Sequence, residues 1–176
     1  MSRIKNLFMQ AKQHPILSLI LLLQVLVIVY INLFRLQYYI GYDCSAYYLQ
    51  TIEMWRQKTL LPNDWSFQTT LCWDSPAILA MLFYGLTGNI FLSYGISNLI
   101  VVLLLVLCLN AILNRLDLSL GSKMVFFILF FTPFYMNNNS ANNLDYFNMM
   151  FSSMSAYSVK VFIILFICLI FWRFYV

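Results

Sequence analysis

The sequence has few charged residues and a single histidine. Charged residues make up 9% of its 176 residues, whereas about 25% is usual in a soluble domain. Hydrophobic residues make up 62%. These proportions exclude an ordinary soluble enzyme and a disordered chain. The net charge of +4 is too small and too scattered to predict nucleic-acid binding.

Other absences exclude several kinds of functional centre. The histidine, His14, stands beside Pro15 at the start of the first apolar run, and the sequence has no Gly-rich phosphate loop and no Cys/His cluster. A His-based triad and a zinc site are therefore not expected. No charged residue lies in the middle of an apolar run, which argues against an ion-coupled transporter or a channel.

The hydrophobic residues are concentrated in four long runs, which predicts an all-α, polytopic membrane protein. About twenty apolar residues cross a hydrocarbon layer of roughly 30 Å. We expect one membrane domain over residues 1–176, with two outer segments that carry interfacial amphipathic helices. The predicted spans are 15–34, 90–113, 122–136 and 159–175, and the outer segments are 35–89 and 137–158.

The basic residues indicate the orientation of the predicted spans. With the N-terminus in the cytoplasm, six basic residues lie inside and four outside. The short basic connection at 114–123 strengthens this assignment. The length of the first run favours an uncleaved anchor over a signal peptide. We expect an integral protein of the bacterial plasma membrane with a cytoplasmic N-terminus.

The first outer segment contains two predicted helices. The first covers 44–60, and its apolar stripe consists of Tyr48, Ile52, Trp55 and Thr59. This spacing predicts a helix that lies in the membrane interface, with Tyr48 and Trp55 toward the acyl chains. The second covers 76–86, where Asp74 is a capping side chain and Pro76 the first helical residue. It is too short to span, and re-entrant, interfacial and span-extending positions are all open.

The second outer segment and the amides inside the runs give further expectations. A second amphipathic stripe consists of Leu144, Phe147, Phe151 and Met154. Asn98 and Asn110 lie within the second run, where buried amides join helices by hydrogen bonds. Asn32, near the end of the first run, is expected in the interface.

The order of these features resembles the N-terminal part of the GT-C superfamily of membrane glycosyltransferases. Within that superfamily, the layout is most similar to that of protein O-mannosyltransferases and aminoarabinose transferases. A basic N-terminus leads into one span, then into a long outer loop with an acid near its start, a flat helix, an Asp/Pro turn and a second span. The stretches that carry the resemblance are Gly41–Leu49, Thr69–Pro76 and Leu82–Asn89.

The resemblance implies a function for the first outer segment. Asp43 would be the general base or an acid that binds metal and acceptor, and the donor would be a sugar on a polyprenyl phosphate. Tyr47, Trp73 and Asp74 would bind substrate in the same cavity. A carboxylate near the acceptor hydroxyl can take its proton as the oxygen attacks the anomeric carbon. Partial burial would raise the pKa of Asp43 from about 3.9 toward a more useful value.

The sequence also departs from the family. Cys44 follows Asp43 where the family commonly has a second acid, the Lys-Pro-Pro segment of some members is absent, and the chain stops at Val176 after the fourth run. We therefore expect an N-terminal piece or a degenerate relative, incomplete on its own. The alternative is a non-catalytic membrane subunit that binds lipid or partner helices, with Asp43 as a helix N-cap.

The cysteines of the first outer segment leave two states open. Cys44 and Cys72 both belong to this segment. An oxidising compartment would favour a disulfide between them, and a reducing one two thiols.

Overall fold

The computed structural model describes residues 13–39, 42–63, 65, 75–132, 146–152 and 156–175. Of these described residues, 86% are helical and none lies in a strand, so the all-α prediction is confirmed. The α-helices are α1 (Pro15–Tyr30), α2 (Tyr42–Gln57), α3 (Ala77–Thr87), α4 (Ile90–Arg115), α5 (Leu120–Phe131), α6 (Tyr146–Phe151) and α7 (Ala156–Tyr175).

The helix that begins with α1 changes its winding twice before it ends. A π-helical segment follows at Ile31–Arg35, and a 3₁₀ turn then runs over Leu36–Tyr39. Together with α1 these segments form one apolar helix, Pro15–Tyr39, of 25 residues. Short π segments inside α-helices are rare and frequently occur at functional sites.

Two helices of the described chain are long and apolar enough to cross a membrane. They are Pro15–Tyr39, with 25 residues, and α4, with 26. They coincide with the predicted spans 15–34 and 90–113. The region of the third predicted span forms α5, which has only 12 residues, and that of the fourth forms α7, which has 20.

Helices α3 and α4 form a hairpin, because the chain reverses within two residues. Gly88 ends α3 in the left-handed conformation, with φ of 65°, and its N–H donates to the Tyr84 carbonyl. Asn89 caps α4, since its Oδ1 accepts from the N–H groups of Phe91 and Leu92 at 3.0 and 3.2 Å. Helix α3 thus packs back along α4 and is not a continuation of it.

A serine side chain holds the first turn of α3. Ser75 Oγ accepts from the Ala77 N–H at 3.2 Å. The structure has a helix at the predicted place, and Pro76 directly precedes its first residue. Asp74, the predicted cap, lies outside the described residues, so its capping role stays a prediction.

Four helices share one end of the molecule. The His14 ring, at the start of α1, lies against Gly121 in the first turn of α5. The Arg115 guanidinium, at the end of α4, lies 5.7 Å from the centre of the Trp172 ring near the end of α7. Because α4 and α5 are joined by a short turn, all these residues lie at one end, called the His14 end below. Helices α1 and α5 therefore run parallel, and so do α4 and α7.

A core of aliphatic and aromatic side chains joins these helices. Ile28 of α1 and Leu105 of α4 pack with Phe131 of α5 and with Phe147 and Phe151 of α6. The Phe151 ring centre lies 5.3–5.8 Å from three other phenylalanine rings. Thus Phe147 and Phe151, predicted to lie along an interface, are buried inside the protein. Leu144 and Met154 of the same stripe lie outside the described residues.

The closest approach between the two membrane-length helices occurs where Gly95 of α4 meets the π segment. A Cβ at position 95 would overlap the backbone carbonyl of Asn32. Only glycine lets two backbones approach this closely. The crossing point is therefore set by the absence of a side chain at position 95.

We predict that Gly95→Ala lowers the free energy of unfolding by at least about 2 kcal/mol, because overpacking outweighs the gain of about 1 kcal/mol in helix propensity. Denaturant titration in detergent micelles measures this change. Gly121→Ala is the matched control, because its Cβ would stand 3.3 Å from the His14 ring, which can move aside. Equal effects of the two substitutions would contradict a tight backbone crossing at Gly95.

Candidate functional site

The candidate acid belongs to the first turn of α2. This helix begins at Tyr42, so position 43 follows the end of the first membrane-length helix, Tyr39, by four residues. The side chain of Asp43 lies outside what the structure describes, and so do residues Trp73 and Asp74. The predicted role of Asp43 as a helix cap therefore stays a prediction. Of the predicted site residues, only Tyr47 has a described environment.

One face of α2 is buried against the protein. Cys44 and Thr51 are fully buried, and Tyr48 is 4% exposed. The Tyr48 ring centre lies 4.0 Å from that of Tyr94 in α4 and 6.1 Å from that of Phe91. The prediction that Tyr48 faces the acyl chains is therefore wrong. An apolar stripe looks the same in a sequence whether lipid or protein covers it.

Tyr47 contributes its backbone carbonyl to a small polar network. This carbonyl accepts from Tyr94 Oη and from Thr51 Oγ1, both at 2.9 Å, and the two hydroxyl oxygens lie 2.8 Å apart. Tyr94 thus binds the first turns of α2 to the second membrane-length helix. Sequence reasoning missed Tyr94, because a tyrosine near the start of an apolar run is typical of any membrane interface.

The other end of α2 is held by Trp55. Its ring lies against Gly85 of α3 so closely that a Cβ at position 85 would overlap it. The Lys58 ammonium stands 3.0 Å from the ring centre. The next residue after Trp55, Arg56, pairs with Glu53 at 2.9 Å, as their spacing predicts. Helix α2 is therefore fixed at both ends against the α3–α4 hairpin.

The hydroxyl of Tyr48 has an unusual environment. Its oxygen is buried and has no hydrogen-bond partner among the residues that the structure describes. Burial raises the pKa of this hydroxyl well above its ordinary value of 10.0, and Tyr94 and Cys44 act in the same direction. The phenol is therefore neutral in the folded protein and takes no part in acid–base chemistry near neutral pH.

Two asparagines form the polar centre between the membrane-length helices. Asn98 Nδ2 donates to Asn32 Oδ1 and to the Ser152 carbonyl, both at 2.9 Å. Asn32 Nδ2 donates to the Ile28 carbonyl at 2.9 Å and to the Phe151 carbonyl at 2.7 Å. Two of these bonds go to the Phe151 and Ser152 carbonyls at the end of α6. The last carbonyls of a helix have no partner within the helix, and the asparagines supply one.

This arrangement confirms one prediction about the amides and corrects two. Asn98 is fully buried and joins helices, as predicted. Asn32 is 1% exposed, so its predicted interfacial position is wrong. Asn110 is exposed and joins no helices in the described part of the chain. Both asparagines of the pair stand within apolar runs, and that is the signal by which the pair could have been found.

The expected metal and disulfide are not tested by these residues. Among the residues that the structure describes, no group of three or more His, Cys, Asp or Glu side chains could hold a metal ion. The side chains of Asp43 and Asp74 are outside that set. Cys44 is buried, and Cys72 lies outside the described residues. Both expectations therefore stay predictions.

Comparison with known proteins gives no match. No protein-family description, no curated protein and no solved structure resembles the chain significantly.

Asn98→Ala is expected to lower the free energy of unfolding by about 1–3 kcal/mol, because it removes the Asn98 amide that donates to two buried acceptors, the Ser152 carbonyl and Asn32 Oδ1. Asn110→Ala, on the same helix but exposed, is the control and is expected to stay within about 0.5 kcal/mol. In the double variant Asn32→Ala/Asn98→Ala, the loss should be smaller than the sum of the single losses. Additive losses would refute coupling between the amides.

Tyr94→Phe and Tyr48→Phe form a second matched pair. We expect Tyr94→Phe to lose about 1 kcal/mol with its hydroxyl bonds, and Tyr48→Phe to lose nothing, because no bond is removed. Stability of the parent protein should also fall above pH of about 10, where Tyr48 ionises only when unfolded. Tyr48→Phe should reduce that fall, as measured by unfolding titrations at pH 8 and 11. Equal losses in the two variants would disprove the difference between the hydroxyls.

Proposed function

We propose that the chain is an integral membrane protein of the bacterial plasma membrane, with four crossing segments and a cytoplasmic N-terminus. The support is the pair of membrane-length apolar helices, together with the shared end of α1, α4, α5 and α7. Helices α1 and α5 begin at the His14 end, whereas α4 and α7 end there. The four segments thus alternate in direction along the chain, as a four-span topology requires. The end of the third segment beyond Thr132 is outside the described residues.

The distribution of charge supports the proposed orientation. Exposed Arg115 and Arg173 lie at the His14 end, as does Lys123, whose ammonium donates to Asn114 Oδ1 at 2.6 Å. Basic residues on one side of the spans are typical of the cytoplasmic side. The proposed outer side would carry α2 and the tip of the α3–α4 hairpin.

The function that we propose is that of a glycosyltransferase-like module of the GT-C type, which uses a sugar on a polyprenyl phosphate. The observation that carries the proposal is the fixed position of α2. Its first turns are bound to Tyr94, which lies only four residues from the start of α4. Since α4 is about 39 Å long and the hydrocarbon layer is roughly 30 Å thick, α2 would lie at the membrane surface.

In this proposal Asp43 is the general base or the acid that binds metal and acceptor. Position 43 lies on the same side of α2 as Tyr47 and Gln50, one and two turns later. A carboxylate there could take the proton of an acceptor hydroxyl as a lipid-linked sugar presents its anomeric carbon. A divalent metal would stabilise the departing phosphate charge. Tyr47, Trp73 and Asp74 would line the same site.

A second candidate function is that of a non-catalytic membrane subunit. The observation that favours it is the apolar surface of α1, on which Ile16, Leu19, Leu22, Leu23 and Leu26 are all more than half exposed. Such a surface fits lipid and equally fits the helices of a partner protein. In that case Asp43 would serve only the first turn of α2, where an acid interacts favourably with the helix dipole.

The proposed activity is tested with Asp43→Asn in membrane vesicles supplied with polyprenyl-phosphate sugars and a hydroxyl acceptor. We expect transfer to fall by at least about a hundredfold, because the base is lost while the shape is kept. Asp117→Asn, in the turn between α4 and α5, is the control and should retain activity. Loss of transfer in neither variant, or in both, would contradict a catalytic Asp43.

The same vesicles allow the orientation to be checked with exposed single-cysteine variants. Asn63→Cys should react from outside with a reagent that cannot cross the membrane, and Leu118→Cys only after the membrane is opened. The vesicles also distinguish the two candidate functions. If the parent protein transfers no sugar but binds a second membrane protein, the subunit function is favoured.

A further inference from the structure

Arg35 stands on the surface at the end of the first membrane-length helix. Its Nε–H donates to Tyr30 Oη at 2.9 Å. The guanidinium carbon lies 5.9 Å from the centre of the Tyr30 ring and 5.4 Å from that of Tyr38. Both distances are within the range of cation–π contacts. Two tyrosines therefore fix the orientation of one exposed guanidinium.

The change of winding in this helix produces these contacts. In a regular α-helix, residues five apart are separated by about 140° around the axis, so Tyr30 and Arg35 would not meet. A π-helix has wider turns, with hydrogen bonds from i to i+5, so residues five apart come closer around the axis than in an α-helix, and in a 3₁₀-helix residues i and i+3 are eclipsed. The π segment Ile31–Arg35 brings Arg35 to Tyr30, and the 3₁₀ turn that follows brings Tyr38 to Arg35.

The buried side of the π segment carries an asparagine that holds this winding in place. Asn32 lies within the segment and is held by the buried bonds to Asn98 and to the Phe151 carbonyl. The buried asparagine and the exposed arginine are thus two sides of one short segment.

The guanidinium of Arg35 has more donors than the two tyrosines use. It carries five N–H groups, of which Tyr30 accepts one. The Tyr38 side chain also hydrogen-bonds to the guanidinium, which is exposed, so further N–H groups can reach a ligand. The surface beside them is apolar, since Phe34 is 68% exposed and Tyr38 66%. An oriented fork of donors next to exposed rings fits a group that has both a phosphate and hydrocarbon.

We infer that Arg35, positioned by Tyr30 and Tyr38, binds the phosphate of a phospholipid headgroup in the outer leaflet. Arginine binds phosphate oxygens in a bidentate manner, with strength and with defined geometry. The apolar surroundings favour a lipid over free phosphate, because acyl chains cover Phe34 and the leucines of α1 while the headgroup reaches Arg35. The inference rests on the membrane part of the proposed function and is independent of the glycosyltransferase part.

The experiment is native mass spectrometry of the full chain in detergent, titrated with phosphatidylglycerol. A galactosyl diacylglycerol with the same acyl chains, which lacks phosphate, is the comparison lipid. We expect Arg35→Gln to weaken phosphatidylglycerol binding about tenfold and to leave galactolipid binding unchanged. Tyr30→Phe should weaken it about threefold, because the ring stays but the Nε anchor is lost. Arg56→Gln, an exposed arginine paired with Glu53, should have no effect.

Several outcomes would overturn the inference. These are unchanged phosphatidylglycerol binding in Arg35→Gln, an equal loss in Arg56→Gln, or equal affinity of the parent protein for the galactolipid. Displacement of the lipid by millimolar inorganic phosphate would assign the site to free phosphate instead. If Arg35→Gln does not fold, Arg35→Lys keeps the charge without the fork, and unchanged binding there would overturn the bidentate contact.

Membrane extraction separates this inference from the proposal on which it rests. A chain that leaves the membrane in alkaline carbonate contradicts the membrane part of the proposed function. A chain that stays in the membrane but does not distinguish the two lipids contradicts the phosphate site alone.

Discussion

The hydrogen bonds made by Asn32 and Asn98 are the constraint on which the rest of the structure depends. An amide in an apolar interior must find partners, because each unsatisfied polar group there costs several kcal/mol. These two find each other and the carbonyls of Phe151 and Ser152. The pair thereby holds the π segment against α4 at the close approach that Gly95 allows, and it fixes the position of α6.

The position of α2 follows from that crossing. Tyr94 lies one residue before Gly95 and one turn before Asn98, so the helix crossing that buries the amides also presents the tyrosine hydroxyl to the Tyr47 carbonyl. The backbone of α2 at Tyr47 is consequently tied to the same crossing that holds the core. Precise placement of this kind is what a reacting group requires. A precisely placed helix equally suits a surface that binds a partner protein.

The sequence predicted the helices well and their partners poorly. Long apolar runs define α1 and α4, because length and composition are local properties. The partner of an apolar face is not local: Tyr48 and Phe151 looked suited to lipid but pack against Tyr94 and other phenylalanines. Asn32 was misjudged for the same reason, since its burial depends on residues that come 66 and 119 positions later. The winding change at Ile31–Arg35 leaves no local signal, and the site residues Trp73 and Asp74 stay predictions.

The distance along the chain between Asn32 and its partners has a consequence for biosynthesis. At about 5–20 residues per second, a ribosome needs roughly 6–24 s to make the 119 residues that separate Asn32 from Phe151. The first helix is complete during that time, but Asn98 is made only after 66 of these residues and Phe151 only at their end. The amide therefore lacks both distant partners at first and lacks one of them throughout. Water, or the polar interior of the insertion machinery, must therefore solvate the amide. Release of this helix into lipid is expected to wait until the last third of the chain has been synthesised.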